Sequence, residues 1–247
     1  MIQVIKNTKR YLRHRRLTRH GIVRDLDLPV ATFGSRTGMW TTTTLGLSKE
    51  SVVYSFGVGD NICWDLGMIE RLGLEVHAFD PTLRSVKWVK QQSLPKKFRF
   101  HEVGLADFDG EQDFYPPGKP GKINFRSVNC RLSHGKSLRG TVLRLETILE
   151  RLGHSRVDVL KIDIEGAEYS ALRDFLRTRI PIRQLLVEFH HNYSVISFEE
   201  TVDIIQQLRL AGFRIFHISE RGYECSFWNT GTLKLCTTLK DGAVENV

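Results

Sequence analysis

Val157-Asp-Val-Leu-Lys-Ile-Asp-Ile-Glu-Gly-Ala-Glu-Tyr-Ser-Ala-Leu172 changes character halfway along its length. Val157 to Ile164 reads as a buried strand by its length and apolar content. Asp163, Glu165 and Glu168 then crowd around Gly166, and Ala167, Ala171 and Phe175 recur four apart as on a helix. A strand that releases carboxylates into a glycine turn before a helix is how an open parallel sheet presents reactive groups at its carboxyl edge. Acids packed this tightly repel one another unless a cation, a polar ligand or a proton answers them. Glu168 is equally well explained by attraction to a helix N-terminus. Asp163, still within the strand pattern, is not.

On either side of this stretch, strand and helix patterns alternate. Strands are expected at 52–56, 75–79, 98–103, 184–189 and 213–218, and helices at 64–72, 85–92, 144–152, 167–178 and 198–211. Residues 223–229 and 232–237 resemble a terminal hairpin, residues 25–50 are loop-like, and the Gly- and Pro-rich stretch 108–140 is a strand-rich insert or a loop over a site. Alternation of this kind means one α/β domain on a mostly parallel sheet, with a late antiparallel strand.

The net charge of +8 is unevenly placed. Residues 1–24 hold eight of the 36 Lys and Arg and no acid, leaving 28 basic against 28 acidic residues in the domain at 25–247. This basic arm suits an anionic surface or an acidic partner. Ile2, Ile5, Lys9 and Leu12 fit one face of a short amphipathic helix, against the alternative of a solvated, frayed terminus. The arm lacks the interleaved aromatics of a single-strand-binding platform, which argues against nucleic acid. No apolar run approaches the ~20 residues of a membrane span, and no apolar signal segment follows the basic residues. Cys63, Cys130, Cys225 and Cys236 are scattered and read as buried thiols of a reducing compartment, so the expectation is a cytoplasmic chain.

The first strands carry nucleoside chemistry. Gly57 and Gly59 let a ligand approach the backbone, and Asp80, before Pro81 at the next strand end, can accept ribose hydroxyls. A dinucleotide fingerprint wants a third glycine at position 62, where Ile62 stands. That disfavours a nicotinamide oxidoreductase and points to S-adenosylmethionine, which has no pyrophosphate. Asp107, after the third strand, is placed to meet an adenine amino group, or simply to start the turn Asp107-Phe-Asp-Gly110.

Tyr54-Ser-Phe-Gly-Val-Gly59, Val76-His-Ala-Phe-Asp-Pro81, Val103-Gly-Leu-Ala-Asp-Phe-Asp-Gly110 and Asp158-Val-Leu-Lys-Ile-Asp-Ile-Glu-Gly-Ala-Glu168 together resemble the FkbM-type methyltransferases, over roughly residues 30–220. The resemblance implies a Rossmann-like class I methyltransferase fold: a mostly parallel seven-stranded sheet, helices on both faces and an antiparallel C-terminal strand. It further implies S-adenosylmethionine as cofactor, with Gly57 and Gly59 at the methionine moiety, Asp80 at the ribose, Leu105, Ala106 and Asp107 bordering the adenine, and Asp163 facing the transferred methyl. Where such enzymes commonly end the first strand with an acid, this chain has Ser55, and Asp60 or Asp65 is left to supply the carboxylate.

The implied activity is O-methylation of a small-molecule or saccharide hydroxyl. Such an acceptor must lose its proton to a general base or to a divalent cation that lowers its pKa. His190 is the expected base because an imidazole titrates near neutrality, with Asp163 and Glu165 beside it; a structural histidine at the sheet's rim is the competing reading. Asp163 and Glu188 are candidate cation ligands. Trp40, Phe114, Tyr115 and Tyr193 are candidate walls for the acceptor. The alternative class is a catalytically degenerate methyltransferase fold that binds a ligand or partner, motivated by Ser55.

Overall fold

The computed structural model describes residues 2–35, 38–116, 125 and 136–232. The chain begins with helix α1 (Ile2–Arg19), followed by a short antiparallel pair, β1 (Ala31–Phe33) and β2 (Trp40–Thr42). Then come β3 (Val52–Phe56), α2 (Cys63–Leu72), β4 (Glu75–Phe79), α3 (Leu83–Val89), β5 (Phe98–His101), β6 (Gly104–Leu105), β7 (Gly110–Phe114) and β8 (Leu138–Leu143). The second half holds α4 (Leu145–Leu152), β9 (Val157–Ile162), α5 (Glu168–Thr178), β10 (Ile182–Glu188), α6 (Phe198–Leu210), β11 (Phe213–Ile218) and β12 (Glu224–Asn229).

Seven strands form the main sheet in the order β11-β12-β10-β9-β3-β4-β5. Pairs among β5, β4, β3, β9 and β10 are parallel, and β12 runs antiparallel between β10 and β11. This is the Rossmann-like order that the sequence resemblance implies. Parallel strands are buried on both faces, and here the two faces feed two cores. Tyr54, Phe56, Leu160, Ile162, Leu185 and Val187 pack with α4, α5 and α6. Val53, Val159 and Leu186, one residue out of phase, pack with α2 and α3. Each fully buried aliphatic or Phe side chain contributes about 1.5–3 kcal/mol relative to exposure.

Several elements differ from the sequence expectation. The strand expected at 157–164 ends at Ile162, leaving Asp163 just past it. The loop-like 25–50 contains the β1–β2 pair, and the insert contributes β7 and β8, which join β6 in a separate three-stranded sheet. Tyr223–Asn229 does not form a terminal hairpin: β12 is claimed on both sides by β10 and β11, and nearly all of 232–237 lies outside the described residues. The basic arm is a helix docked on the domain. Leu17 and Ile22 are buried in the larger core, and the Arg13 and Arg16 guanidiniums sit 3.8 and 3.9 Å over the Tyr223 and Phe198 rings. Cys225 is buried, but Cys63 is exposed at the start of α2, against the expectation of buried thiols; Cys130 and Cys236 lie outside the described residues.

Candidate functional site

A cavity of about 660 Å³ opens at the carboxyl ends of β3, β4 and β9, where these strands are tied together. Asp163 N–H donates to Phe56 O at 3.1 Å, and Gly57 N–H to Phe79 O at 3.0 Å. The fit is so close at Gly57 that a Cβ there would lie 1.7 Å from the Asp163 carbonyl oxygen. Glycine at 57 is therefore a packing requirement of the site's own frame. At Gly59, whose φ is 54°, a Cβ would meet nothing within 4 Å. Glycine there leaves open space on the cavity side.

Gly57, Gly59, Asp60, Asp80, Pro81 and Leu105 all line the cavity. Asp80 is held firmly: its Oδ2 accepts from Gly59 N–H at 2.9 Å, and its Oδ1 accepts from Thr82 N–H at 2.9 Å and Thr82 Oγ1 at 2.6 Å. A carboxylate oxygen accepts about two hydrogen bonds, so Oδ1 is filled and Oδ2 keeps one position for a ligand hydroxyl. Ala106 is buried against Phe114 and Val142, and Asp107 is exposed; neither lines the cavity. The structure thus leaves Asp107 at the turn that begins there.

Ser55 lies just behind this wall, on the sheet face that meets α2. Asp65, from α2, reaches the cavity beside Lys161. Burial pushes the Asp65 carboxyl up, while the Lys161 ammonium and the Ser55 hydroxyl pull it back. The two side chains nevertheless do not meet in a hydrogen bond of normal geometry. Ser55 Oγ and Asp65 Oδ1 are both buried without a hydrogen-bond partner among the described residues. Of the two carboxylates named to replace the missing strand-end acid, Asp65 is the buried one and Asp60 the exposed one.

At the other end of the cavity stand Asp163 and Glu165, with side chains 25 % and 12 % exposed, and Glu188 from the end of β10. Glu165 takes a left-handed φ of 53°, which costs an L-residue about 1–2 kcal/mol. Burial pushes Glu188 up to about 8, reinforced by Asp163 and Glu224, although Arg221 contacts it at 2.6 Å.

His190 lies past the end of β10, is almost wholly buried, and stands behind Asp163 and Glu165 without lining the cavity. Glu168 Oε1 takes both its backbone N–H, at 2.8 Å, and its Nδ1, at 3.1 Å. Burial alone would lower the imidazole, but Glu168, Glu165 and Asp163 outweigh it and hold it up at about 10. The imidazole is thus not the near-neutral base expected; it does sit beside Asp163 and Glu165 as expected, in the buried setting of the competing reading, a structural histidine at the sheet's rim. Glu168, read as a dipole cap, is a fully buried anchor for His190.

Of the aromatic candidates, Trp40 and Phe114 line the cavity, whereas Tyr115 and Tyr193 do not; Tyr193 instead donates its hydroxyl to Glu165. Sequence reasoning missed Arg10, Lys161 and Arg221, which also line it. Lys161 carried a signal, since a charge inside a buried strand asks for a reason. Its ammonium lies 5.1 Å from the Trp40 ring centre. Arg10 and Arg221 arrive through the docking of α1 and the β11–β12 turn, which no local pattern encodes.

A methyltransferase FkbM domain profile matches residues 55–215. The chain is 28 % identical over 181 residues to a rat protein described as probable methyltransferase-like protein 24, covering 69 % of this chain and 43 % of that one. It is 27 % identical over 183 residues to the human protein of the same description, at the same coverage. It therefore spans less than half the length of these relatives.

Proposed function

Given that the chain belongs to the FkbM methyltransferase domain family, we propose that it binds S-adenosylmethionine in this cavity and methylates a hydroxyl of a small molecule or saccharide. The observation that carries the reading is the continuity of one cavity from Gly59 and Asp80 to Asp163 and Glu165. The residues suit the cofactor. Gly59 leaves room, Asp80 keeps a free acceptor position, and the Asp65 carboxylate, which reaches the cavity, offers an acceptor to a cationic amine. Asp65 supplies the carboxylate that Ser55 lacks, which speaks against the degenerate, non-catalytic alternative.

When bound, the cofactor would supply an electrophilic methyl for the acceptor oxygen, with the acceptor's hydroxyl proton to be removed. The chain's task is then alignment and proton management. Asp80 and Asp65 anchor the nucleoside and amino acid ends, Trp40 and Phe114 wall the acceptor, and Asp163 takes the hydroxyl proton. Calorimetry with S-adenosylmethionine and S-adenosylhomocysteine tests the first half of this reading. Labelled cofactor incubated with a cell extract tests the second, through the identity of the labelled product. No heat from either ligand would return the degenerate alternative.

The outer face of α1 supports a peripheral partner. Val4, Tyr11, Arg15 and Arg19 recur at helical spacing beside Ile5, Lys9 and Leu12, all exposed. Lys9, Arg15 and Arg19 make no ion pair among the described residues, unlike Arg10 and Arg16. Apolar side chains flanked by free cations suit an anionic bilayer surface. No helix of the described residues is long and apolar enough to cross a membrane. Because Leu17 and Ile22 belong to the core, the test is substitution and not deletion. Lys9, Arg15 and Arg19 changed to Glu should abolish sedimentation with phosphatidylserine vesicles; equal sedimentation of the parent with phosphatidylcholine alone would refute the reading.

A further inference from the structure

The geometry points to a divalent-cation site formed by Asp163, Glu165 and His190 at the wall of the cavity. One ligand atom from each lies within 4.8 Å of the others. His190 Nε2 is 3.8 Å from Asp163 Oδ1 and 3.6 Å from Glu165 Oε2. These separations are too long for hydrogen bonds. They are what two ligands of one ion require, since bonds of about 2.1 Å place neighbouring donor atoms roughly 3–4 Å apart at angles of 90° and above.

The surroundings orient the donors. Glu168 Oε1 engages the Nδ1 side of the imidazole and the His190 backbone N–H, so Nε2 is aimed at the two carboxylates. Glu168 Oε2 is itself fixed by Gly166 N–H at 2.8 Å. A carboxylate behind the far nitrogen is the usual outer partner of a metal-binding imidazole. Tyr193 donates to Glu165 Oε2, the same oxygen that faces His190 Nε2, and so fixes that donor atom in place.

Charge favours an ion here as well. Asp163, Glu165, Glu168, Glu188 and Glu224 gather at this end of the cavity; Arg221 pairs with Glu188 and Glu224, and His190, which ligates an ion only with Nε2 deprotonated, faces the other three. Glu188, expected to be a ligand with Asp163, is instead taken up by Arg221, and Glu165 and His190 replace it. One imidazole and two carboxylates suit a borderline ion such as Mn²⁺ or Zn²⁺ better than Ca²⁺. Asp163 and Glu165 line the cavity, so the ion is accessible from it. Its use, lowering the pKa of the acceptor hydroxyl, rests on the methyl-transfer reading; its binding does not.

Mn²⁺ titration of the full chain, followed by electron paramagnetic resonance, tests the site. One equivalent of Mn²⁺ should lose its free-ion signal, and Zn²⁺ should displace it. Asp163→Asn and Glu165→Gln should abolish that equivalent, and Glu168→Gln should weaken it by about 10–100-fold. Glu150→Gln, on the exposed side of α4, should leave it unchanged. Thermal melts of every variant separate lost binding from lost folding. Absence of a stoichiometric site, or its survival in both folded Asp163→Asn and Glu165→Gln proteins, overturns the inference. S-adenosylhomocysteine calorimetry on the same samples keeps the two readings apart: cofactor binding without Mn²⁺ defeats only the cation site, and Mn²⁺ without cofactor defeats only the methyl-transfer reading.

Discussion

Replacing Gly57 by alanine sets a methyl group 1.7 Å from the Asp163 carbonyl oxygen and 2.7 Å from its carbonyl carbon. Neither atom can rotate away, because Asp163 N–H is bonded to Phe56 O and the strand ends must separate as a unit. The φ of 87° costs an L-residue about 1–2 kcal/mol, and forced overpacking adds about 1–3 kcal/mol. The sum is about 2–5 kcal/mol, which for a domain of this size lowers the melting temperature by roughly 5–20 °C. Gly59→Ala is the control. Its φ of 54° is also left-handed, but the new Cβ meets nothing within 4 Å. The backbone cost there remains without the overpacking. Differential scanning fluorimetry should therefore find Gly57→Ala strongly destabilised and Gly59→Ala destabilised by the backbone cost alone, about 1–2 kcal/mol. Because Gly59 lines the cavity, calorimetry should also find cofactor binding weakened in Gly59→Ala. If the two variants melt within about 3 °C of each other, the close approach of β3 to the Asp163 backbone is not as described.

Asp65→Asn removes the buried carboxylate proposed for the cofactor amine. A hydrogen bond to a charged group contributes about 1.5–3 kcal/mol, so S-adenosylhomocysteine affinity should fall roughly 10-fold or more, while Asp60→Asn should change it little; the reverse ranking in calorimetry would reassign the anchor. At the sheet's opposite end, burial and the neighbouring His101 and His154 hold His77 down at about 4, against an ordinary 6.5. Burial lowers His101 and His154 too. The unfolded chain then binds more protons than the folded one between about pH 6.5 and 4, so stability falls as pH drops through that window. His77→Phe should flatten the decline in melting temperature from pH 6.5 to 4, and an unchanged slope would show that other groups dominate it.

The parallel core was legible because strands buried on both faces carry apolar runs, as at 52–54 and 185–187. The position of β12 was not. A strand with this alternation pairs equally well at an edge or between two neighbours, and only the gap between β10 and β11 decides it. The basic arm was half legible: its charge suggested solvent, yet Arg13 and Arg16 lay their planar heads on Tyr223 and Phe198. His190 was misread for a similar reason. Titration alone suggested it as the base, whereas the side chain is set past the end of β10 by a contact from Glu168, 22 residues earlier.

Polar interruptions on the α2 side of the central strands show how structural and functional residues separate. Ser55, Lys161 and Gln184 all break apolar strands there, and pattern alone treats them alike. Gln184 is answered completely by one backbone residue: its Oε1 accepts from Thr43 N–H at 3.1 Å and its Nε2 donates to Thr43 O at 2.8 Å. It therefore ties β2 to the sheet and needs no ligand. Lys161 is balanced by the Asp65 charge and the Trp40 ring. Ser55 Oγ, Asp65 Oδ1 and Trp228 Nε1 are buried without a partner among the described residues, and of the three residues Asp65 alone lines the cavity. Each such group costs about 1–3 kcal/mol. Gln184 on the same sheet face is satisfied within the fold, whereas Asp65 Oδ1 is left without a partner in a residue that lines the cavity. A ligand carrying a cationic amine relieves that cost, and this is why cofactor affinity should respond to Asp65 although no acid stands at the end of β3.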